Sequence, residues 1–508
     1  MLSNVLEYLE ETITKHSEKI AFIGEEYEYT FQQIYDEGQS IGSYLRNQDI
    51  LKEPVLVYMS RDPRTITAYM GVLYGGNYYV PIDSEMPSSR IDLIIEKLEP
   101  RILICDSSTR ELAEKLDYDG IIVDFADINR TSIRLDHLSE IRNRMIDTDP
   151  MYVVFTSGST GTPKGVIANH KSVIDYIEQL SVVLEVNDTT VFGNQTPLYL
   201  DACMKEVYST LKYGCTTHII PKKMFMFPIQ LVDYMNQYKI NTVCWVVSAL
   251  TIISSFKVLD KMVPEHLKVV AFGSEVFPIK QFNLWKEALP DAKFINLYGP
   301  TEGTGMCTYY VVNRVFEEDK VIPIGIPFKN TDIILITDDN KVADNGEMGE
   351  ICIRGTSVTM GYFKDKERTN AVYTQNPLND VYPEIIYRTG DLGKLNEHNE
   401  LVFVSRKDFQ IKHMGHRIEL GEIEASANQL NGLVNTCCIY NKVQEKIVLF
   451  YVGELASRDI AVGLKEKLPR YMIPNKIIQL DKIPLTPNGK IDRVHLTEMS
   501  LKRKRVKK

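Results

Sequence analysis

The residues best suited to chemistry form a loop rich in hydroxyls and glycine, Thr156-Ser157-Gly158-Ser159-Thr160-Gly161-Thr162-Pro163-Lys164-Gly165. Its three glycines let the backbone approach an anion, its five Ser and Thr hydroxyls can donate to phosphate oxygens, and Lys164 adds positive charge. The loop follows an apolar run over 151–155 that is typical of a buried strand. The pattern therefore predicts a phosphate-binding loop at a strand end. A surface loop of small residues would have a similar composition.

Pro163 distinguishes this loop from the P-loop of common ATPases. In a P-loop, Gly-Lys is followed at once by Ser or Thr at the start of a helix. Here Lys164 lies between a proline and a glycine. The sequence therefore disfavours a P-loop ATPase.

A second pair of charged residues, Asp201 and Lys205, is spaced by one helical turn, so both side chains can occupy one helix face. Asp201 follows an apolar run and opens a helical pattern over 202–211, where it would also suit an N-cap worth about 1 kcal/mol. Lys205 has two interpretations. It can form an ion pair within the helix, with Asp201 or Glu206, or it can point into a pocket and meet a carboxylate or another polar acceptor.

Two further stretches place aromatic, amide, hydroxyl and carboxylate groups near strand ends. One is Asn296-Leu297-Tyr298-Gly299-Pro300-Thr301-Glu302, which follows an apolar run, and the other is Tyr387-Arg388-Thr389-Gly390-Asp391. An aromatic face suits a purine, a planar amide suits a base edge, and carboxylate oxygen suits a hard cation. A carboxylate can also accept from two neighbouring hydroxyls.

Composition and charge exclude several classes of protein. A chain of 508 residues is too long for one core, and its length predicts about three or four domains or subdomains. The net charge of −10 disfavours binding to nucleic acid or to anionic membranes, apart from a basic tail over 502–508 that is either solvated or docks to an acidic partner. The eight scattered cysteines lack metal-site spacing and are expected to be buried thiols. We expect a cytoplasmic protein without membrane insertion, because the N-terminus is acidic and no long uncharged apolar run occurs.

The elements that position these residues follow an α/β rhythm. Apolar runs at 54–59 and 101–106 predict strands, with a helix over 65–73 between them. Short strands and turn signals over 320–405 predict an antiparallel, barrel-like subdomain. The polar stretch 405–408 predicts a linker.

In their order and spacing, these stretches resemble the motifs of the adenylate-forming superfamily, which includes acyl-CoA synthetases, luciferases and the adenylation domains of nonribosomal peptide synthetases. The segment 409–424 and the heptapeptide 487–493 extend the resemblance to essentially the whole chain. It implies an α/β fold with α+β subdomains. The large N-terminal domain, 1–407, would contain two α/β sheet subdomains and a β-barrel-like subdomain. A small mobile α+β domain would span 408–498, followed by the basic tail 499–508.

The resemblance also implies ATP and Mg²⁺ as cofactors and assigns roles to single residues. Tyr298 would stack on adenine, Asn296 would bind its amine, Thr301 would contact the adenylate phosphate, Glu302 would help to hold Mg²⁺, Asp391 would bind the ribose, and Arg406 would complete the nucleotide site. The phosphate-binding residues would be Thr156, Ser157, Gly158, Ser159, Thr160, Gly161 and Lys164. Thr301 and Glu302 would act with the catalytic Lys490, Asp408 would be the hinge, and Gly415 would lie on the thiolation loop. Without the resemblance, Lys490 would be interpreted as a solvated lysine in a turn.

The same resemblance identifies a substrate pocket. An aspartate at the position of Asp201 pairs with the substrate α-ammonium in amino-acid-activating members. The usual aromatic residue before it is Leu200 here, which is a departure from the pattern. The remaining pocket positions would be Lys205, Trp245, Val270, Phe272, Leu297, Gly305 and Met306. Trp245 and Phe272 would fill volume and favour a small or stacking substrate.

The function implied is activation of an amino acid as aminoacyl-AMP and its transfer to a carrier-protein phosphopantetheine thiol. We expect a separate carrier protein, because only 18 residues follow Lys490. The chain also resembles the D-alanine ligases of teichoic acid modification, although Lys205, Trp245 and Ser274 depart from their expected pattern. Two alternatives stay open: an acyl- or aryl-CoA synthetase, against which Asp201 argues, and a noncatalytic binding subunit.

Overall fold

A computed structural model describes residues 2–158, 162–318, 320–485 and 491–501 of the chain. Four residues with predicted roles, Ser159, Thr160, Gly161 and Lys490, lie outside this part.

The helices and strands alternate through most of the chain. The helices are α1 (Leu6–His16), α2 (Phe31–Asn47), α3 (Pro63–Tyr74), α4 (Ser88–Leu98), α5 (Arg110–Ala113), α6 (Phe125–Ile128), α7 (Leu135–Arg142), α8 (His170–Leu184), α9 (Met204–Tyr213), α10 (Pro228–Gln237), α11 (Val247–Ser255), α12 (Ile279–Ala288), α13 (Lys366–Val372), α14 (Leu420–Asn428), α15 (Ser457–Lys465) and α16 (Arg493–Leu501). Short 3₁₀ helices occupy Asp201–Cys203, Lys222–Met226, Thr301–Gly303 and Arg470–Met472.

The strands are β1 (Ile20–Ile23), β2 (Glu28–Thr30), β3 (Pro54–Tyr58), β4 (Tyr78–Pro81), β5 (Ile102–Cys105), β6 (Ile121–Asp124), β7 (Pro150–Thr156), β8 (Lys164–Asn169), β9 (Val191–Asn194), β10 (Thr216–Ile219), β11 (Thr242–Val246), β12 (Val269–Gly273), β13 (Lys293–Tyr298), β14 (Thr308–Val311), β15 (Ile326–Pro327), β16 (Thr331–Ile336), β17 (Gly349–Gly355), β18 (Tyr373–Gln375), β19 (Ile385–Leu395), β20 (Leu401–Arg406), β21 (Gln410–His413), β22 (His416–Glu419), β23 (Leu433–Asn441), β24 (Lys446–Gly453) and β25 (Lys476–Gln479).

Two predominantly parallel sheets contain strands β1 to β15. The nine-stranded sheet has the order β15-β14-β13-β12-β11-β9-β10-β1-β2, and the six-stranded sheet has the order β6-β5-β3-β4-β7-β8. In the larger sheet, β13, β12, β11, β9, β10 and β1 are parallel neighbours, and antiparallel strands close both edges. Parallel strands that helices cover on both faces have continuous apolar sequences. Such apolar runs are the pattern from which these strands were predicted. The α/β prediction is confirmed.

A third sheet is antiparallel, in agreement with the turn signals over 320–405. Its order is β16-β17-β19-β18, with β20 paired to β19. Within the part of the chain that the structure describes, this strand path is open. The subdomain is therefore an antiparallel sheet that does not close into a complete barrel.

By contacts, the chain divides into two compact units. The first comprises 1–84, 98–154 and 165–407, and the second comprises 85–97, 155–164 and 408–508. The second unit contains the β21–β22 hairpin and the sheet β23-β24-β25, with a core over α14, α15 and the central strand β24. The predicted boundaries at 407, 498 and 499 stay a prediction.

The remaining whole-chain observations concern thiols and membranes. All eight cysteines are free and buried, as the sequence predicted. Among the described residues, no helix combines the length and apolarity needed to cross a bilayer.

Candidate active site

A pocket lies at the carboxyl ends of the parallel strands of the large sheet, where α/β folds commonly bind ligands. The registers of β11, β12 and β13 place Trp245, Phe272 and Asn296 in one row, and Leu297 opposite Gly273. The lining residues are Thr196, Ala202, Lys205, Cys244, Trp245, Val246, Ala271, Phe272, Gly273, Ser274, Leu297 and Met306.

Five of the predicted pocket residues line this cavity: Lys205, Trp245, Phe272, Leu297 and Met306. Asp201, Val270 and Gly305 are not among the lining residues. Val270 is fully buried in the apolar cluster that contains Trp245 and Phe272. Gly305 has φ +84°, and a Cβ there would lie 3.1 Å from the Tyr176 ring, so this position holds the backbone close to an aromatic side chain.

Sequence reasoning gave no role to seven of the lining residues: Thr196, Ala202, Cys244, Val246, Ala271, Gly273 and Ser274. Five of them flank Trp245 or Phe272 in β11 and β12 or just beyond β12, and Ala202 follows Asp201. The signal that would have found them is the convergence of parallel strand ends on one edge.

Asp201 begins the 3₁₀ turn that precedes α9. The residue before this turn is Leu200, and the N-cap of α9 is Cys203, so Asp201 caps neither element. Burial raises the pKa of Asp201, whereas a hydrogen bond with the Thr301 side chain and the charge of Lys205 lower it, and the Glu302 charge raises it. The buried carboxylate is therefore next to the Thr301–Glu302 motif.

Lys205 points into the pocket and forms no ion pair within its helix. Its side chain is buried, with 4% of the residue exposed. In the described part of the chain, no hydrogen bond is recorded for its ammonium and no carboxylate oxygen lies within 4.0 Å of it. Asp201 and Glu206 lie close enough for their pKa values to be lowered by its charge.

Two aromatic residues close the pocket. Trp245 is 1% exposed, and its indole Nε1 donates to the Gly193 carbonyl at 2.6 Å. Phe272 packs edge-on against Phe277 with ring centroids 5.0 Å apart. Both rings that line the pocket are therefore held in place by buried partners.

A hydrogen-bonded cluster joins Tyr298 to Asp391 of the predicted motif 387–391. The Tyr298 hydroxyl donates to Asp391 Oδ2 at 2.6 Å, and Arg406 forms an ion pair with Oδ1 of the same carboxylate. Arg406 also donates to the Thr389 carbonyl at 3.2 Å. Burial, followed by the charge of Asp391, raises the pKa of Tyr298 well above its usual range, so Tyr298 stays a donor. The structure therefore brings together Tyr298, Asp391 and Arg406, three predicted nucleotide residues.

The Asn296 amide has a defined orientation. Its Nδ2 donates to the Pro323 carbonyl at 2.8 Å, which fixes the nitrogen side of the amide. The carbonyl oxygen is left as the group that can accept from an amine.

Glu302 is fully buried at the 3₁₀ turn Thr301–Gly303, and its Oε1 accepts from the Tyr362 hydroxyl at 2.7 Å. The Glu302 carboxylate and the neighbouring Tyr362 hydroxyl supply hard oxygen atoms of the kind that Mg²⁺ prefers. The described residues hold no group of three or more acidic, His or Cys side chains that would bind a metal by itself.

The described residues of the predicted phosphate-binding loop, 156–158 and 162–164, belong to the second unit. Ser157 Oγ donates to the Arg417 carbonyl at 2.8 Å, and the Gly158 amide donates to Glu422 Oε2 at 3.2 Å. Arg90 forms a buried ion pair with the other oxygen of Glu422. This part of the loop is thus fixed by α14 and its preceding hairpin.

The other predicted positions in this unit differ in environment. Thr156 ends β7 with a buried hydroxyl that has no recorded partner in the described residues, and Lys164 begins β8 and is buried. Asp408 is exposed, and its Oδ1 accepts from the Gln410 amide at 3.1 Å. Gly415 (φ +78°) follows Met414 (φ +51°) in the two-residue turn between β21 and β22, a conformation that glycine adopts readily.

The profile of the family described as "AMP-binding enzyme" matches residues 9–363. D-alanine--D-alanyl carrier protein ligase of Bacillus licheniformis is 30% identical over 513 residues, covering 96% of this chain and 98% of the ligase. Bacitracin synthase 1 of the same species is 29% identical over 498 residues, covering 97% of this chain and 9% of the synthase. The chain thus spans only about a tenth of the length of the large synthases that it matches.

Solved structures show the same fold. The Vibrio cholerae adenylation domain AlmE, solved with glycyl-adenosine-5'-phosphate, superposes with a TM-score of 0.84 at 18% identity, covering 98% of both chains. The o-succinylbenzoate CoA synthetase MenE of Bacillus subtilis gives a TM-score of 0.82 at 18% identity, again covering 98% of both chains.

Proposed function

The chain belongs to the AMP-binding enzyme family, and on this premise we propose that it activates an amino acid with ATP as an aminoacyl adenylate. The aminoacyl group is then transferred to the phosphopantetheine thiol of a carrier protein. The name of the full-length relative, a ligase of D-alanine and a carrier protein, supports this pair of substrates.

The position of the buried Asp201 side chain close to Thr301 and Glu302 carries the proposal. An α-ammonium group is one carbon away from the carboxylate that reacts with ATP. An acid that pairs with this ammonium must therefore lie beside the residue that contacts the adenylate phosphate. The buried Asp201 has this position relative to Thr301, and an amine-free acid would leave its charge unpaired.

The cluster of Tyr298, Asp391 and Arg406 supports the proposed nucleotide site. The Tyr298 ring stacks on adenine, and the free Asn296 oxygen accepts from the adenine amine. Each Asp391 oxygen has already accepted one internal hydrogen bond, and its second lone pair accepts from a ribose hydroxyl. Tyr298 and Arg406 hold the carboxylate in place for this role.

The proposed chemistry requires positioning and charge stabilisation. A carboxylate oxygen of the amino acid attacks the α-phosphorus of ATP, an O–P bond forms, and the bond to pyrophosphate breaks. Thr301 donates to the phosphate, and Lys490 neutralises charge that develops between the carboxylate and the α-phosphate. The hydroxyl and amide groups of the loop 156–164 bind the departing phosphates.

The donor set around Glu302 fits Mg²⁺ that arrives with the phosphates of ATP. A buried carboxylate beside a hydroxyl supplies hard oxygens, and Mg²⁺ is commonly held by one or two carboxylates together with substrate phosphates. When bound, the ion supplies charge neutralisation for the phosphates. Tyr362 orients the Glu302 carboxylate for this role.

In the second half-reaction, the carrier thiol attacks the carbonyl carbon of the adenylate. A C–S bond forms, AMP leaves, and the thiol proton passes to solvent. By the family resemblance, rotation about Asp408 replaces Lys490 with the Gly415 turn between the two half-reactions. Since the reaction consumes ATP and all cysteines are free thiols, we propose a cytoplasmic location.

A D-alanine–carrier protein ligase is a more specific candidate. The match over 98% of such an enzyme favours it, whereas the lysine that lines the pocket is a feature that alanine does not need. An acyl- or aryl-CoA synthetase shares the fold, but the buried Asp201 disfavours it.

Substrate-dependent ATP–pyrophosphate exchange tests the proposal. The panel contains L- and D-amino acids, aryl acids and fatty acids, with Lys490→Ala as the inactive control. Exchange with one α-amino acid, lost in the control, supports the function. Exchange only with amine-free acids contradicts it. Loading of a phosphopantetheinylated carrier protein then tests the second half-reaction.

A further inference from the structure

We propose that the pocket selects an amino acid with a negatively charged side chain, of the aspartate or glutamate type, and that Lys205 determines this specificity. The inference rests on the proposed amino-acid activation and names its substrate class.

The first observation is that Lys205 is a buried cation without a direct partner. Its ammonium has no recorded hydrogen bond and no carboxylate within 4.0 Å in the described residues, although only 4% of the residue is exposed. A buried charge is stabilised when it is paired and hydrogen-bonded, and it destabilises a protein when it is not. An anionic ligand group in the pocket would supply the missing partner.

The second observation is that Lys205 gives the pocket its only charge. The other eleven lining residues, all within the described ranges, are neutral. Thr196 and Ser274 add hydroxyl groups, which can donate to a carboxylate. The Trp245 N–H is already bonded to Gly193, so it is not available to the substrate. Lys205 is therefore the residue best placed to bind a substrate anion.

The acids near Lys205 do not replace a substrate anion. Asp201 is assigned to the α-ammonium of the substrate, and Glu302 accepts from Tyr362. Glu206 is fully buried, burial raises its pKa, and neither of its carboxylate oxygens forms a hydrogen bond with Lys205 in the described residues. Arg61, the other cation near Glu206, donates to the Asn194 side chain and to backbone carbonyls.

Charge balance then defines the substrate. Its α-ammonium pairs with Asp201, and its α-carboxylate enters the adenylate. The cation that stays unpaired is Lys205, one turn further along, and a side-chain carboxylate matches it. The fixed rings of Trp245 and Phe272 limit the side chain to a short one.

The test uses ATP–pyrophosphate exchange by the full-length enzyme with pairs of nearly isosteric substrates. The pairs are aspartate with asparagine and glutamate with glutamine, in both L and D forms, with L- and D-alanine added. We expect wild-type kcat/KM for one acid to exceed that for its amide by at least about a hundredfold, because the amide leaves Lys205 unpaired.

The variant Lys205→Met removes the charge and keeps the length of the side chain. We expect the acid-to-amide ratio to fall to about one, with exchange on the neutral amino acids retained. The matched control is Lys212→Met on the same helix, where the lysine pairs with Glu178 instead of lining the pocket, and the ratio should not change. If Lys205→Met does not fold, the wild-type ratio decides the question alone.

Two outcomes would overturn the inference in distinguishable ways. Exchange with alanine or another neutral amino acid in preference to every acid refutes the role of Lys205 and leaves the proposed function intact. No exchange with any amino acid by a folded enzyme that binds ATP refutes the proposed function, and the inference with it.

Discussion

The Tyr298 hydroxyl donates to Asp391 Oδ2 at 2.6 Å, which joins two motifs that lie 93 residues apart in the chain. Arg406 holds the other oxygen of Asp391. The ring proposed to stack on adenine and the carboxylate proposed to bind the ribose are therefore parts of one buried unit. A change at either residue should affect both parts of the nucleotide.

Substitution Tyr298→Phe separates the stacking role from the hydrogen bond. We expect loss of about 1–2 kcal/mol of stability and a severalfold rise in the KM for ATP, because Asp391 loses the hydrogen bond from Tyr298. Tyr298→Ala should raise the KM further, by roughly tenfold or more, because the stacking face is lost as well. Exchange kinetics and thermal melts measure both effects. The exposed Tyr382→Phe is the control, and equal effects of the Phe and Ala variants at 298 would contradict the stacking role.

Substitution Asp201→Asn tests the ammonium site. We expect kcat/KM for the amino acid to fall by about a hundredfold or more, with the affinity for ATP unchanged, because a neutral amide cannot pair with the ammonium. Asp188→Asn, at an exposed position, should have no effect.

Asp201 also predicts a pH dependence. Burial raises its pKa, so its negative charge is lost at a higher pH than in an exposed aspartate. Amino-acid affinity should therefore decrease as the pH falls through this raised pKa, and the decrease should be absent in Asp201→Asn. A wild-type affinity that does not change over the acidic range would contradict the assignment.

The pH dependence of stability provides a test of Glu206. Its pKa is raised from 4.5 to about 7 by burial, and the nearby charge of Lys205 only partly opposes this shift. Between these two values, the folded state binds a proton that the unfolded state has released, so stability falls as the pH rises. Above pH 7, the total loss of folding stability that Glu206 causes is on the order of 3 kcal/mol.

Replacement by the neutral isostere should remove this slope. We expect Glu206→Gln to be more stable than the wild type at pH 8 and similar to it near pH 5, as measured by denaturant unfolding at each pH. Glu265→Gln, at an exposed position, should leave the slope unchanged. A steeper loss of stability at high pH in the Gln variant would contradict the prediction.

The ion pair of Arg90 and Glu422 is expected to support the loop that is predicted to bind phosphate. The side chains are 5% and 0% exposed, and Glu422 also accepts from the Gly158 amide. Arg90→Met should lower the stability by about 3–5 kcal/mol, because it leaves a buried carboxylate without its cation. The double variant Arg90→Met, Glu422→Met should recover most of this loss.

Thermal melts and hydrogen exchange measure the two consequences. The backbone amides over 155–158 should exchange faster in Arg90→Met than in the wild type. The control is Arg110→Met, which breaks an exposed pair with Glu114 and should cost at most about 1 kcal/mol. Unchanged exchange in the loop would mean that Glu422 does not support it.

Local sequence patterns were sufficient to predict the architecture. The apolar run at 54–59 became β3, the run at 101–106 became β5, and the helix predicted over 65–73 became α3. The motif residues were located by type and order; the family match covers residues 9–363, and the roles given to single motif residues stay a prediction. Such features depend on residues that are close in the chain, so periodicity and turn chemistry determine them.

Only the tertiary structure decided the surroundings of Lys205 and Asp201. Spacing allowed an ion pair within the helix and an N-cap, and the fold formed neither. It also placed Ala202 and Ser274 in the pocket, Val270 in the core, and Arg90 beside Glu422, 332 residues away. These outcomes depend on strand register and on packing between distant segments. A one-dimensional pattern defines the faces of each element, but which faces meet depends on how the elements pack.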